Sequence, residues 1–569
     1  MKPAIRTVRF SWVDCAVIGA ILVLGYLTLQ VGKGTIVNID PADVRDVDTD
    51  PAKLPYYAAR SLLRMFLALA ASVVFTFVYA YAAARSRRLE RVLLPALDIL
   101  QSVPVLGFLT VFVTFFVGLF PGSLLGLECA VVFAIFTAQA WNMTFGFYAT
   151  LVSLPRELDE LSRSFGFTRW MRFWRIEVPA GAIDLVWNGM MSFAGGWFML
   201  VASEAVSVAG HEYAVPGLGS YAGTAIGDGD LDRIAWCILA MTITIVAVNF
   251  LFWRPLTAWA EKFKNEQAEA NTVQRSYVLD FLRRSHLHHL IGSRTTRARN
   301  AIGRAASRLG RDDQTLRVDP SRRRAGDLLF GALVAALVVW GLLDLGIYLH
   351  RETGLSVFFH PLLLGLITLL RVLVIVGVSS VLWVPVGVWI GFSPPLTKVA
   401  QPVVQVLASF PANLLFPVAV WFFLRSGLSI NVGSTFLMAL GAQWYVLFNA
   451  IAGAMAVPTD LKEAMDDLGV RGWQRWRRFI LPAVFPFYVT GGITASGGAW
   501  NASIVGEVVT YAGTTLTATG LGAYIFQASE QGDQPRLIAG ITVMSFYVVT
   551  LNRLLWRPLY ALAERRFTL

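Results

Sequence analysis

The sequence predicts an all-α polytopic membrane protein of about twelve transmembrane helices, arranged as two parallel six-helix repeats. Three observations predict it. Hydrophobic residues make up 56% of the chain and charged ones only 15%, and the mean hydropathy is +0.58, so its main solvent is lipid. Apolar runs near the roughly 20 residues that cross a bilayer recur along it. One polar motif is written twice, with its central glycine at Gly166 and again at Gly469.

Trp12–Val31 is the first apolar run. It is long and lacks a small-residue cleavage site after it, so it reads as a retained helix rather than a signal peptide. The others in the first half are Arg60–Ala84, Arg91–Gly118, Gly126–Val152, Ala180–Ser203 and Arg233–Ala258. The second half offers Asp327–Leu349, Leu362–Gly391, Val399–Leu424, Val432–Ala456, Ala483–Gly506 and Leu537–Leu559. Cys15, Cys129 and Cys237 fall inside apolar runs without metal-ligand spacing and read as packing residues.

Charge orients these helices. Lys2, Arg6 and Arg9 precede the first, and Arg85, Arg87, Arg88 and Arg91 follow the second, with the acidic stretch Asp40–Asp50 between them. Residues 262–326 hold 15 Lys+Arg against 6 Asp+Glu, a balance of +9 out of the chain's +11. The positive-inside rule then places both termini, this basic segment and both glycine motifs in the cytoplasm. Nucleic-acid binding is the rival reading of the basic stretch, but no recognised module accompanies it; a linker in contact with solvent or lipid headgroups is expected. His286, His288 and His289 lie within it as solvated side chains, and no metal site is expected.

Duplication extends past the motif. Trp253-Arg-Pro-Leu recurs as Trp556-Arg-Pro-Leu, Gly217-Leu-Gly219 as Gly520-Leu-Gly522, and Trp197/Glu204 as Trp500/Glu507. Ser61-Leu-Leu-Arg64 matches Thr368-Leu-Leu-Arg371 at a slightly larger offset, as Pro95 and Pro104 match Pro402 and Pro411. An even number of helices per repeat keeps the halves parallel, with a seam between them as the natural path for a solute.

The motif itself runs Glu160-Leu-Ser-Arg-Ser-Phe-Gly166, nine residues, Ile176-Glu-Val-Pro179. Its second copy is Glu463-Ala-Met-Asp-Asp-Leu-Gly469, nine residues, Phe479-Ile-Leu-Pro482. Helical residues precede each glycine and a basic aromatic helix follows, so Gly166 and Gly469 supply a φ > 0 corner. Trp170 and Phe173, like Trp473 and Trp476, are spaced i, i+3 and are expected on one helical face suited to a partner's groove. Pro179 and Pro482 start the next membrane helix, where a missing N–H costs nothing. A single copy would equally suit an amphipathic interfacial helix; two copies with identical spacing favour docking.

Among charges inside the apolar runs, Arg64 and Arg371 occupy matching places, and Arg371 stands roughly 14 Å into its helix. Facing a central path they would favour an anion; snorkelling or pairing with a neighbouring carbonyl is the alternative. Glu204 and Glu507 read either as a gate or as interfacial anchors. Gln139 and Gln443 read as amides offered to a solute or as interhelical hydrogen bonds. The chain contains no Gly-x-x-x-x-Gly-Lys-Ser/Thr phosphate loop and no nucleophile or metal cluster with catalytic spacing.

The paired motif resembles the EAA loop of ABC importer permeases, and the chain looks like two such permease domains fused. Leu97-Asp-Ile-Leu-Gln-Ser-Val-Pro104 and the Ser-Leu-Leu-Arg block resemble the nitrate/sulfonate/taurine/bicarbonate class. The resemblance implies a type I importer fold in each half: residues 11–261 with their loop at 157–179, and 326–569 with their loop at 460–482. An N-terminal stretch 1–10 and the basic linker 262–325 complete the division. It implies a bacterial inner-membrane location and two separate ATPase subunits that use ATP and Mg. A periplasmic or lipid-anchored solute-binding protein is also implied, with a small anion carried inward by alternating access. Glu160, Gly166, Glu463 and Gly469 would contact the ATPases; the chain would be no enzyme itself and would bind no cofactor. The rivals are a secondary transporter, which calls for membrane-embedded acids and broken helices, and a membrane scaffold, which leaves the docking loops unexplained.

Overall fold

The computed structural model describes residues 47–102, 105–208, 211–260, 277–284, 320–352, 354–511 and 513–566, with a few isolated positions elsewhere. The first apolar run, Trp12–Val31, and almost all of the basic linker lie outside them; within the linker, Tyr277–Arg284 is helical.

In the first half, Leu54–Arg85 packs on Leu124–Ser153, which packs in turn on Ala182–Glu204. The second half repeats this with Phe359–Phe392, Ile430–Ala456 and Leu481–Gly506. In lipid, hydrophobicity alone cannot drive helices together, so close approach through small residues matters. Gly387 and Gly391 show it: an added methyl would stand 2.5 and 2.6 Å from the Cβ atoms of Ala450 and Ala454. One buried cluster reaches across both halves, from Met65, Trp197 and Leu200 to Val372, Trp500 and Met544. Pro320–Glu352 stands apart, with none of its apolar window buried.

Among the described residues nine helices are long and apolar enough to cross a membrane, or eleven if each of two bent pairs is one span. Those pairs correct the expectation of continuous helices over Arg91–Gly118 and Val399–Leu424. The first bends by 90° between Arg87–Gln101 and Val105–Leu119, the second by 79° between Pro394–Ser409 and Ala412–Ser426. In the second the cause is visible. Phe410 precedes Pro411 and is driven to an extended backbone, φ −72° and ψ 127°, which ends the helix.

Among the described residues, two small hairpins interrupt an otherwise helical architecture. Strands β1 (Ala205–Val208) and β2 (His211–Ala214) pair antiparallel with Ala205 opposite Ala214. Strands β3 (Val508–Tyr511) and β4 (Thr514–Thr517) pair with Val508 opposite Thr517. Each hairpin follows the buried glutamate of its half and precedes the Gly-Leu-Gly turn. Val215 N–H closes onto Glu204 O at 3.0 Å, and Ala518 N–H onto Glu507 O at 2.7 Å.

Candidate functional site

Each polar loop folds as a short helix, a glycine corner, and a second helix that runs on toward a membrane span. In the first copy, Arg156–Ser164 ends at Gly166, whose φ is +63°. Phe167 N–H then bonds Ser162 O at 2.9 Å. In the second, Thr459–Asp467 ends at Gly469, φ +64°, and Val470 N–H bonds Met465 O at 3.1 Å. This six-to-one closure over a left-handed glycine satisfies carbonyls that the helix end would otherwise strand. Nothing lies within 4 Å of a Cβ placed on either glycine, so the requirement is conformational rather than spatial. The helices that follow, Arg169–Arg172 and Gly472–Arg475, pass through a π-helical turn, Phe173–Glu177 or Trp476–Ile480. Pro179 and Pro482 stand in the opening turns of the segments after it.

Exposure separates the aromatic pairs that the i, i+3 spacing placed on one face. Trp170 is exposed and packs against exposed Trp174 at 5.6 Å, whereas Phe173 is buried edge-on against Phe77, Tyr81 and Phe147. Trp473 is 71% exposed, while Trp476 packs against the core. The second ring of each pair stands where the π turn begins and packs inward. Glu160 and Glu463 are both exposed, as are Leu161, Phe165 and Leu468. Burial pushes the Lys462 ammonium below its ordinary pKa, and this side chain sits 4.7 Å from the centre of the Phe392 ring.

The loops differ in how they are tied to the bundle. Buried Glu177 holds Arg85 and also accepts from Arg172 Nε at 2.9 Å. Ile480 stands at the matching position and is buried among apolar side chains.

Arg64, Arg371, Glu204 and Glu507 come together, but as ion pairs inside each half. Glu507 Oε1 accepts from Arg371 Nη1 at 2.7 Å and from Thr368 Oγ1 at 2.9 Å, while its Oε2 takes Ala523 N–H at 3.1 Å. Glu204 is held by Arg64, by Ser61 Oγ at 2.6 Å and by Gly219 N–H at 2.6 Å. The hydroxyls of Ser61 and Thr368 accept in turn from Leu218 N–H and Leu521 N–H. Each carboxylate thus anchors a hairpin and the helix after it. Interfacial anchoring does not describe these buried residues. In the first half Glu128 also binds Arg64, Nε to Oε2 at 2.5 Å, and pairs with Arg60; in the second, Asn431 Oδ1 receives Arg371 Nη2 and Thr519 N–H. Glutamine amides diverge as well. Gln139 is buried with no hydrogen-bond partner among the described residues, whereas Gln443 Oε1 accepts from Trp383 Nε1 at 3.0 Å.

A cavity of about 730 Å³ lies on the seam, lined from both halves. None of Arg64, Arg371, Gln139, Gln443, Glu204 and Glu507 lines it. Its wall carries Trp141 and Asn142 from one half, Trp444, Tyr445 and Asn501 from the other. Arg557 Nη2 donates to Asp98 Oδ2 across the seam at 2.6 Å, and Val105 N–H donates to Asn501 Oδ1 at 3.0 Å. Tyr445 reaches over the seam between two glycines: a methyl on Gly195 would stand 3.1 Å from its hydroxyl, and one on Gly498 3.2 Å from its ring. The repeat itself carried a signal for this wall. Trp141 and Trp444 occupy equivalent positions, as do Gly195 and Gly498.

The family model described as the binding-protein-dependent transport system inner membrane component matches residues 72–254 and 383–568. The chain belongs to that family, as a fused, duplicated permease. Similar curated proteins are ABC permeases. A putative ABC transporter permease protein of Methanocaldococcus jannaschii is 26% identical over 38% of this chain and 84% of its own length. A nitrate import permease of Leptolyngbya laminosa is 25% identical over 33% of this chain and 63% of its own length. A bicarbonate transport system permease of Synechococcus elongatus is 23% identical over 31% and 60%. The match therefore spans less than two thirds of the nitrate and bicarbonate relatives.

Proposed function

We propose that this permease carries a small anion inward across the cytoplasmic membrane, driven by two separate ATPase subunits that dock on its two loops. The observation that carries this reading is the loop pair. Two exposed helices of the same design, each turned by a left-handed glycine and followed by an exposed tryptophan, flank equivalent membrane spans. Each second helix continues toward a spanning helix, Ala182–Glu204 or Leu481–Gly506, so a push on the loop reaches the bundle. Closure of the ATPases on ATP and Mg would draw the loops together and open the seam outward to a solute delivered by a binding protein. Hydrolysis would reset it. In this reading both termini, the basic linker and both loops are cytoplasmic, as the positive-inside rule requires. The anion is drawn from the named nitrate and bicarbonate relatives, not from the arginines.

A gradient-driven carrier is the second reading, because buried carboxylates and two broken spans are present. Glu128, Glu204 and Glu507 are each held by arginine, which ties them to structure rather than to proton exchange. Purification of the chain from its own membranes, with mass spectrometry and an ATPase assay, separates the two. A nucleotide-binding partner lost on changing Glu160 and Glu463 supports the importer. Recovery without one, and uptake that collapses with the ion gradient, supports the carrier.

A further inference from the structure

The two ends of the seam are closed by different chemistry. Each spanning helix that leaves a glycine loop, Ala182–Glu204 or Leu481–Gly506, runs to a hairpin, so loops and hairpins stand at opposite ends of the bundle. At the hairpin end the halves meet through a dry cluster. Ala225 and Ile234 from the first half are buried there with Phe416, Val420 and Tyr511 from the second. At the loop end they meet through charge. Asp98 belongs to the helix Arg87–Ser102, which opens with two arginines, and Arg557 to the helix Arg557–Arg566. Their side chains pair at 2.6 Å, line the cavity and stay partly exposed, which sets the pair at the cavity's inner rim.

This pair has no twin. By the repeat, Gln405 stands where Asp98 does and Arg254 where Arg557 does. A neutral amide forms no ion pair, and Arg254 instead lies over the Phe250 ring, 5.3 Å from its centre. The buried clasps behave differently: Arg64 with Glu204 and Arg371 with Glu507 recur, each within its own half. A contact that builds each half should recur with the repeat, whereas Asp98 and Arg557 occur once and span the seam. A partly exposed pair is weak and screened by salt, so it can part and re-form as the halves move between discrete arrangements.

We propose that Asp98 and Arg557 are the inner gate of the cavity. The pair bars the loop end while it is made, and its parting opens the cavity to the cytoplasm. One half supplies the acid and the other the base, so the gate answers directly to movement of the halves. This rests on reading the cavity as the solute path of an importer.

The test is thiol labelling of the full chain in membrane vesicles. Gly497 lines the cavity and nothing lies within 4 Å of a Cβ placed on it, so Gly497→Cys sets a thiol there without a clash. Its reaction with a membrane-impermeant maleimide is timed in inside-out vesicles, with the chain lacking that substitution as background. Asp98→Asn and Arg557→Gln are each expected to speed labelling roughly threefold, the scale of a partly exposed pair. Exchanging the charges, Asp98→Arg with Arg557→Asp, should restore the parent rate, and high salt should speed the parent but neither single variant. In right-side-out vesicles neither single variant should label faster, whereas a bundle loosened throughout would label faster from both sides. Equal rates in the parent and both single variants, an exchanged pair that stays fast, equal speeding from both sides, or no labelling in any variant overturns the inference. Labelling is read without ATP, so this failure is distinct from failure of the importer reading, which the co-purification reports.

Discussion

Arg371 Nη1 and Glu507 Oε1 lie 2.7 Å apart in a buried pair, and Arg64 and Glu204 repeat the pair in the first half. Equivalent residues thus hold equivalent hairpins, with Thr368 and Ser61 completing each clasp. A charge inside the membrane bundle is tolerated because its partner, a hydroxyl and one backbone N–H satisfy it.

Removing one member of such a pair strands the other. Arg371→Ala is expected to destabilise the fold by about 3 kcal/mol, read as a lower thermal-unfolding midpoint in detergent. Arg371→Met with Glu507→Leu should recover much of the loss, because no charge is then left buried alone. A path-lining arginine would behave differently, altering the KM for uptake while leaving thermal unfolding unchanged.

Gly520 and Gly217 serve the same clasp. A Cβ on Gly520 would lie 2.2 Å from the Glu507 carboxylate, and one on Gly217 2.4 Å from that of Glu204. Gly520→Ala must therefore push the carboxylate off its partners. Its yield of folded protein is expected to fall well below that of Gly227→Ala, where nothing lies within 4 Å; equal yields would show that the clasp yields at little cost.

Gly166 and Gly469 have room for a side chain but the wrong backbone for one, at φ +63° and +64°. Valine at either site carries roughly 1–2 kcal/mol of strain, confined to the loop. Gly166→Val/Gly469→Val should insert and unfold like the parent while ATP-dependent uptake drops at least tenfold in proteoliposomes. Uptake at the parent rate would remove the corner from the coupling route.

The cross-seam pair of Arg557 with Asp98 is partly exposed, at 59% and 34%, and such pairs contribute little, about 0–1 kcal/mol. Asp98→Asn should shift the unfolding midpoint by no more than a degree or two. A large shift would mean that this contact holds the halves together.

The repeat, the helical class, both glycine corners and the helix-starting prolines were legible in the sequence, because each follows from local backbone rules or from spacing. Pairing between distant segments was not. Glu128 lies far from Arg64 in sequence and meets it only through the packing of Leu54–Arg85 on Leu124–Ser153. The matched arginines were visible as matched, but their direction depends on which face the bundle buries. Periodicity likewise put Phe173 beside Trp170, yet i and i+3 stand roughly 60° apart around a 3.6-residue helix, enough for one ring to be buried and the other exposed. The bend at Pro411 was readable from the proline but was outweighed by the apolar run that continues past it.

The central claim is that each loop holds one ATPase. Native mass spectrometry of the solubilised complex tests it most directly, by counting ATPase copies per chain in the parent, Glu463→Ala, and Glu160→Ala/Glu463→Ala. The account predicts two, one and none. Two copies retained by the double variant would contradict it.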